Sequence, residues 1–153
     1  MSKLDPRNPI HLLACGFGSG LAPKAPGTFG TLAAFPLWYL LQMLSWPQYW
    51  VVVVAAFALG VFVCGRTAGD MGVHDHGALV WDEFVGLWVA LACVPLDWFW
   101  IVLGFILFRV FDIWKPWPIR WFDRNLKGGL GVMTDDVVAG LLVLIILALL
   151  KAI

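Results

Sequence analysis

Long apolar blocks alternate with short polar segments along this chain, and the polar segments hold nearly all of its charge. No charged residue falls between Ala25 and Gly65. Within that stretch 31–44 and 49–64 are apolar, separated by Ser45-Trp46-Pro47-Gln48. A proline-bearing polar interruption between two such runs predicts a helical hairpin with a tight turn. A second pair, 84–96 and 98–108, is joined around Val94-Pro95-Leu96-Asp97, and a last apolar run covers 137–150. The pattern predicts an all-α fold: a small helical membrane protein of two hairpins plus a C-terminal helix, forming one domain over 1–153. Each block is shorter than the roughly 20 residues a bilayer core demands. The helices must therefore extend into flanking residues, thin the bilayer, or in part not span.

Composition supports the membrane class. Of 153 residues, 61% are hydrophobic and 13% charged, with ten Trp and eleven Phe, outside ordinary soluble composition. Ten basic residues balance ten acidic ones without a basic tail, which argues against nucleic acid as a partner. Cys15, Cys64 and Cys93 are odd in number and read as buried small hydrophobes. The opening MSKLDPRNP has no apolar run beside its positive charges, so no cleaved signal peptide is expected. Lys and Arg occur at the N-terminus, at Lys24, at Arg66 and through 109–127, and are missing from the turns at 45–48 and 94–97. The positive-inside rule then puts the N-terminus, 66–83 and 109–136 in the cytoplasm, with Trp46, Trp50, Trp98 and Trp100 as an aromatic belt at the far interface.

Charge is concentrated in 109–136, which holds five of the ten basic residues (Arg109, Lys115, Arg120, Arg124, Lys127) and four of the ten acidic ones (Asp112, Asp123, Asp135, Asp136). Carboxylates suit a hard divalent cation, and guanidinium and ammonium groups suit phosphate. The mixture points to metal-assisted phosphate chemistry, and the apolar remainder to a lipid as the bearer of the phosphate. Arg109 and Asp112, three apart, share a helix face and can simply pair. Lys115-Pro116-Trp117-Pro118 ends that helix. Trp114, Trp117 and Trp121 suit a segment at headgroup level, where Arg120, Arg124 and Lys127 either reach phosphate or serve as topological signals. Gly128, Gly129 and Gly131 read as flexible backbone before Asp135.

The segment 66–84 adds Asp70, His74, Asp75, His76, Asp82 and Glu83. Asp82-Glu83 opens one apolar helix, and Asp135-Asp136 is expected to open another. Helix N-termini tolerate paired carboxylates, yet their mutual repulsion in a mostly apolar protein calls for a cation, and Mg²⁺ is the natural candidate. The same pairs also fit plain N-capping. His74 and His76 suit a general acid, a phosphate donor or a metal ligand, the last disfavoured because no Cys-His spacing accompanies them. A Gly/Pro-rich stretch over 16–31 could form an anion nest with Lys24 beside it, or a close helix contact. The chain lacks the cysteine loop, aspartyl-phosphate motif and histidine motif of other phosphatases, and the signature of CDP-alcohol phosphatidyltransferases. Metal-activated attack of water on a phosphomonoester remains.

Three stretches, HLLACGFGSGLAPKAPGTFGT, GDMGVHDHGALVWDEFVG and FRVFDIWKPWPIRWFDRNLKGGLGVMTDDVVAG, closely resemble bacterial phosphatidylglycerophosphatase A. The resemblance implies a Mg²⁺-dependent inner-membrane enzyme that removes the terminal phosphate of phosphatidylglycerophosphate to give phosphatidylglycerol, with its site facing the cytoplasm. With the residue pattern, Asp82, Glu83, Asp135 and Asp136 are the leading Mg²⁺ ligands or carboxylates supporting the ligands, with Asp70 and Asp112 next. Lys24, Arg109, Lys115, Arg120 and Arg124 are the phosphate-binding candidates, aided by backbone N–H groups including Gly18, Ser19 and Gly20. One of the carboxylates, or His74 or His76, is expected to handle the water or the leaving oxygen. The rival readings are a phosphatase of another lipid phosphate such as phosphatidic acid, and a non-enzymatic transport or assembly subunit.

Overall fold

The structure, a computed structural model, describes residues 4–73 and 76–152, and among these the regular elements are all helical. In order they are α1 (Pro9–Ala14), a 3₁₀ segment (Gly16–Leu21), α2 (Pro26–Ala33), α3 (Phe35–Leu41), α4 (Trp46–Met71), α5 (Trp81–Ala90), α6 (Trp98–Trp114), α7 (Ile119–Asn125) and α8 (Gly128–Ala152). Local chemistry sets the boundaries. Gln48 Oε1 accepts from the Ser45 N–H at 3.0 Å to start α4, and Gly72 ends it in a left-handed conformation (φ 68°). Asp97 accepts from the Phe99 N–H at 2.9 Å to start α6. Lys115, also left-handed (φ 47°), ends α6 just before Pro116.

The two expected hairpins are not the packing observed. The 31–44 block is divided between α2 and α3, because Pro36 has no N–H to give a continuous helix. The Ala34 carbonyl at the break accepts from Trp88 Nε1 at 3.1 Å as well as from the Trp38 N–H at 2.9 Å, so the break is tied to α5. Neither α3 with α4 nor α5 with α6 forms the main contact. Instead α8 is the common partner, packing most extensively on α5 and then on α4. All of α5 except Asp82 is buried, from Trp81 to Ala90, so this 10-residue helix is a core element too short to span a bilayer.

Two helices, Trp46–Met71 and Gly128–Ala152, are long and apolar enough to cross a membrane. They outrun the apolar blocks because the chain stays helical through Arg66 and Asp70 in one and through Asp135 and Asp136 in the other. Asp135-Asp136 therefore does not open its helix but lies about two turns inside it, and Gly129 and Gly131 are helical rather than loose, with Gly128 left-handed (φ 65°) at the helix start. Outward faces remain apolar: Val102, Ile106, Val110 and Ile113 of α6 and Val51, Val54 and Phe62 of α4 are exposed. A surface of this kind fits membrane association. Trp46 and Trp98 are exposed at the far turns, while Trp50 and Trp100 are half-buried. Cys15 and Cys64 are buried as expected, but Cys93 is exposed where the chain turns after α5.

Glycine permits the close approach of α8 to its partners. A Cβ at Gly140 would collide with the Gly86 carbonyl of α5, and one at Gly129 with the Val61 carbonyl of α4. Reciprocally, a Cβ at Gly86 would lie 2.8 Å from the Asp136 carbonyl. Gly140→Val is accordingly expected to cost about 1–3 kcal/mol through forced separation of the helices. Gly69→Ala, on α4 with open space around it, is expected to be neutral or stabilising by up to about 1 kcal/mol. Thermal unfolding of the two variants in detergent checks the contrast.

Candidate active site

A polar cavity of about 260 Å³ lies where four helices converge. The start of α2 contributes Pro26 and Gly27, the 76–79 segment His76 and Leu79, and the first turn of α5 Asp82 and Glu83. The end of α6 contributes Arg109, Asp112 and, at its cap, Lys115; α8 contributes Asp135 and Asp136. Five carboxylates thus share one space with two permanent cations.

Two ion-pair systems organise the lining. Arg109 Nη1 lies 2.5 Å from Asp112 Oδ2 and 3.4 Å from Glu83 Oε1, so the expected local pair exists but also reaches across to α5. The Thr31 hydroxyl approaches Glu83 Oε2 at 3.1 Å and the Gly27 carbonyl at 2.8 Å, joining α2 to the same system. Lys115 Nζ donates to Asp135 Oδ2 at 2.5 Å and Asp123 Oδ1 at 2.6 Å, linking α6, α8 and α7. Asp136 is left over. Its side chain is buried, and Oδ2 has no hydrogen-bond partner among the described residues. Arg109 Nε is likewise buried without a partner. Oxygens of Glu83, Asp112 and Asp136 lie within 4.8 Å of one another, the one group among the described residues with metal-ligand spacing.

Electrostatics follow from burial. Burial pushes the Glu83 carboxyl up to about 7 against the pull of Arg109, and Asp112 adds to the rise. Burial alone draws the Lys115 ammonium down, but Asp135 and Asp123 outweigh it and hold it above its ordinary value.

Asp82, Glu83, Asp112, Asp135, Asp136, Arg109, Lys115 and His76 meet in the cavity. His76 Nδ1 accepts from the Ala78 N–H at 3.2 Å, which leaves Nε2 as the proton-bearing nitrogen of the neutral ring. His74 lies outside the described residues. Other candidates are placed elsewhere. Asp70 pairs with Arg66 and His11 on the α1–α4 side. Lys24 is exposed and does not line the cavity. Arg120 and Arg124 lie on the exposed side of α7, whose buried Ile119 side packs against α8. Gly18, Ser19 and Gly20 form no nest at the site: Ser19 Oγ donates to the Gly16 carbonyl, and Gly20 packs on the Ala78 carbonyl. Gly27 and Thr31 were missed. A Cβ at Gly27 would run into the Glu83 carboxylate and Arg109, and the available signal was a glycine beside a helix-starting proline.

Cations able to receive a phosphate, beside carboxylates able to handle water and protons at the mouth of an apolar helical bundle, are the makings of a membrane-associated phosphatase. Comparison with known proteins agrees. The family model for phosphatidylglycerophosphatase A matches residues 12–151. Phosphatidylglycerophosphatase A of Escherichia coli strain K12 is 58% identical over 142 residues, covering 92% of this chain and 83% of that protein. Its namesake in Haemophilus influenzae is 51% identical over 148 residues, covering 95% and 91%. A Bacteroides thetaiotaomicron protein provisionally named a phosphatidylinositol-3-phosphatase is 42% identical over 146 residues, covering 90% of each chain. No solved structure matches the chain. The chain belongs to the phosphatidylglycerophosphatase A family and is a phosphatase, as the three sequence stretches implied.

The raised Glu83 carboxyl has a measurable consequence. The folded chain keeps this proton to higher pH than the unfolded chain does, so stability falls as pH rises from about 4.5 to about 7. With divalent cations chelated, thermal unfolding in detergent is expected to show this loss, and Glu83→Gln to make it shallower. An unchanged slope in Glu83→Gln removes Glu83 as a contributor.

Proposed function

We propose that the protein hydrolyses the terminal phosphomonoester of phosphatidylglycerophosphate to phosphatidylglycerol and inorganic phosphate, with Mg²⁺ held by Glu83, Asp112 and Asp136. The reading places the cavity at the cytoplasmic face of the bacterial inner membrane, in keeping with the basic residues of 109–127. The observation that carries the metal is the charge imbalance. Five carboxylates line a cavity with two permanent cations, and Asp136 Oδ2 is buried with no hydrogen-bond partner among the described residues. Such a space repels a phosphate dianion unless it also holds a cation. The oxygen-only donor set is the kind Mg²⁺ takes, with substrate phosphate and water completing it. When bound, the ion offsets the clustered charge and supplies Lewis-acid activation of phosphate and water.

The chain's own residues do the rest. Arg109, held by Asp112 and Glu83, offers its free Nε–H to a phosphate oxygen, and Lys115 offers a second positive charge across the cavity. The first turn of α2 adds the positive end of a helix dipole, with Gly27 keeping that end clear. Water attacks phosphorus as the bond from phosphorus to the glycerol oxygen breaks. The water's proton passes to a lining carboxylate outside the proposed ligand set, Asp82 or Asp135. The leaving oxygen takes a proton from a donor at the rim, for which His76 is the available group.

The test is phosphate release from phosphatidylglycerophosphate by purified protein in detergent, with Mg²⁺ or with excess EDTA. Release only with Mg²⁺ is expected, and Asp136→Asn is expected to lower kcat by about 100-fold or more. Full activity in EDTA, or in Asp136→Asn, discards the metal site. The resemblance to the Bacteroides protein makes phosphatidylinositol 3-phosphate the competing substrate to run beside phosphatidic acid. A higher kcat/KM for either would move the assignment to that lipid.

A further inference from the structure

We propose that the apolar groove along α6 is where the acyl-glycerol part of the substrate lies while its phosphate occupies the polar cavity. The groove, about 430 Å³, is lined by Thr28 of α2 and by Phe105, Ile106, Val110, Ile113 and Trp114 of α6, with Arg109 the one charged residue among them. Arg109 also lines the polar cavity, so one guanidinium stands at the border of both spaces. The α2 side shows the same junction: Gly27 lines the polar cavity and its neighbour Thr28 lines the groove. An amphiphile with an anionic head and apolar body matches this succession, charge at Arg109 and hydrocarbon along α6.

Continuity distinguishes this groove from other apolar hollows. One between α4, α5 and α8 is lined by Trp50, Val53, Phe57 and Val137 among others, and a second lies on α4 around Val51 and Ala55. Neither shares a residue with the polar cavity. The first reaches Val137, next in sequence to Asp136, but none of the residues lining either hollow is charged. The α6 groove is also reachable from the bilayer, since Ile106, Val110 and Ile113 are exposed. Substrate can therefore enter sideways from the leaflet, with no need to leave it.

This proposal rests on the cavity being the lipid-phosphate site, and the experiment separates the two. Full-length protein in detergent is assayed for kcat/KM on long-chain phosphatidylglycerophosphate and on a short-chain, water-soluble counterpart. Val110→Trp and Ile106→Trp fill the groove from its exposed side, and each is expected to lower the long-to-short ratio about tenfold. Val102→Trp, on the same exposed face about one turn before Ile106 and outside the groove, is expected to keep the wild-type ratio. An unchanged ratio in both groove variants, or an equal fall in Val102→Trp, overturns the proposal. If the wild-type protein hydrolyses neither substrate, the functional reading fails separately. The groove is then read by photolabelling with phosphatidic acid carrying a diazirine in one acyl chain. Labelling concentrated on 105–113 supports the groove, and equal labelling of the outer face of α4 overturns it.

Discussion

Backbone contact between α5 and α8 is the constraint on which the rest of the structure depends. Gly86 and Gly140 have no Cβ, and each lies where one would strike the other helix or, for Gly86, the Phe108 ring as well. With lipid outside, apolar transfer does little to bring helices together, so close packing of this kind has to do it. Once α5 and α8 are in contact, the carboxylates at the start of α5 face those two turns inside α8. Gly129 against α4 fixes the other side of α8 in the same way.

The remaining polar groups arrange themselves around that apposition. Arg109 and Lys115 sit six residues apart at the end of α6; Arg109 is shared between Asp112 of its own helix and Glu83 of α5, and Lys115 between Asp123 of α7 and Asp135 of α8. Neither can satisfy all the carboxylates it faces, which leaves negative charge in excess. Buried like charges raise the energy of the folded chain unless something binds them. The cost is concentrated where phosphate chemistry needs an electrophilic partner, as is common for groups held away from their ordinary ionisation.

Much of this was legible in the sequence because it resides in short-range pattern. Long apolar blocks broken by proline-bearing turns gave helices, and clustered charge at their ends put Asp82, Glu83, Asp112, Asp135, Asp136, Arg109 and Lys115 among a wider set of candidates. What was not legible depends on tertiary packing or on the direction of a side chain. The hairpins failed because Pro36 breaks the first arm and α8 outcompetes the neighbouring helix at every contact that matters. Lys24, Arg120 and Arg124 looked equivalent to Arg109 and Lys115 as charges, but Lys24 is exposed away from the cavity and the two arginines lie on the exposed side of α7, opposite the face that packs on α8. Gly129 and Gly131 read as loose because glycine permits loops, whereas here their value is the missing side chain. Gly27 and Thr31 carry no charge to mark them, yet both touch the Glu83 environment.

The three oxygens that come within 4.8 Å of one another belong to three different helices, Glu83 on α5, Asp112 on α6 and Asp136 on α8. Whatever neutralises them, proton or cation, also fastens those helices to each other. Assembly of the bundle and discharge of its centre are therefore one event. A chain that inserts its helices correctly but leaves this centre charged holds a sprung joint, with repulsion prying apart the contact that the glycines allow.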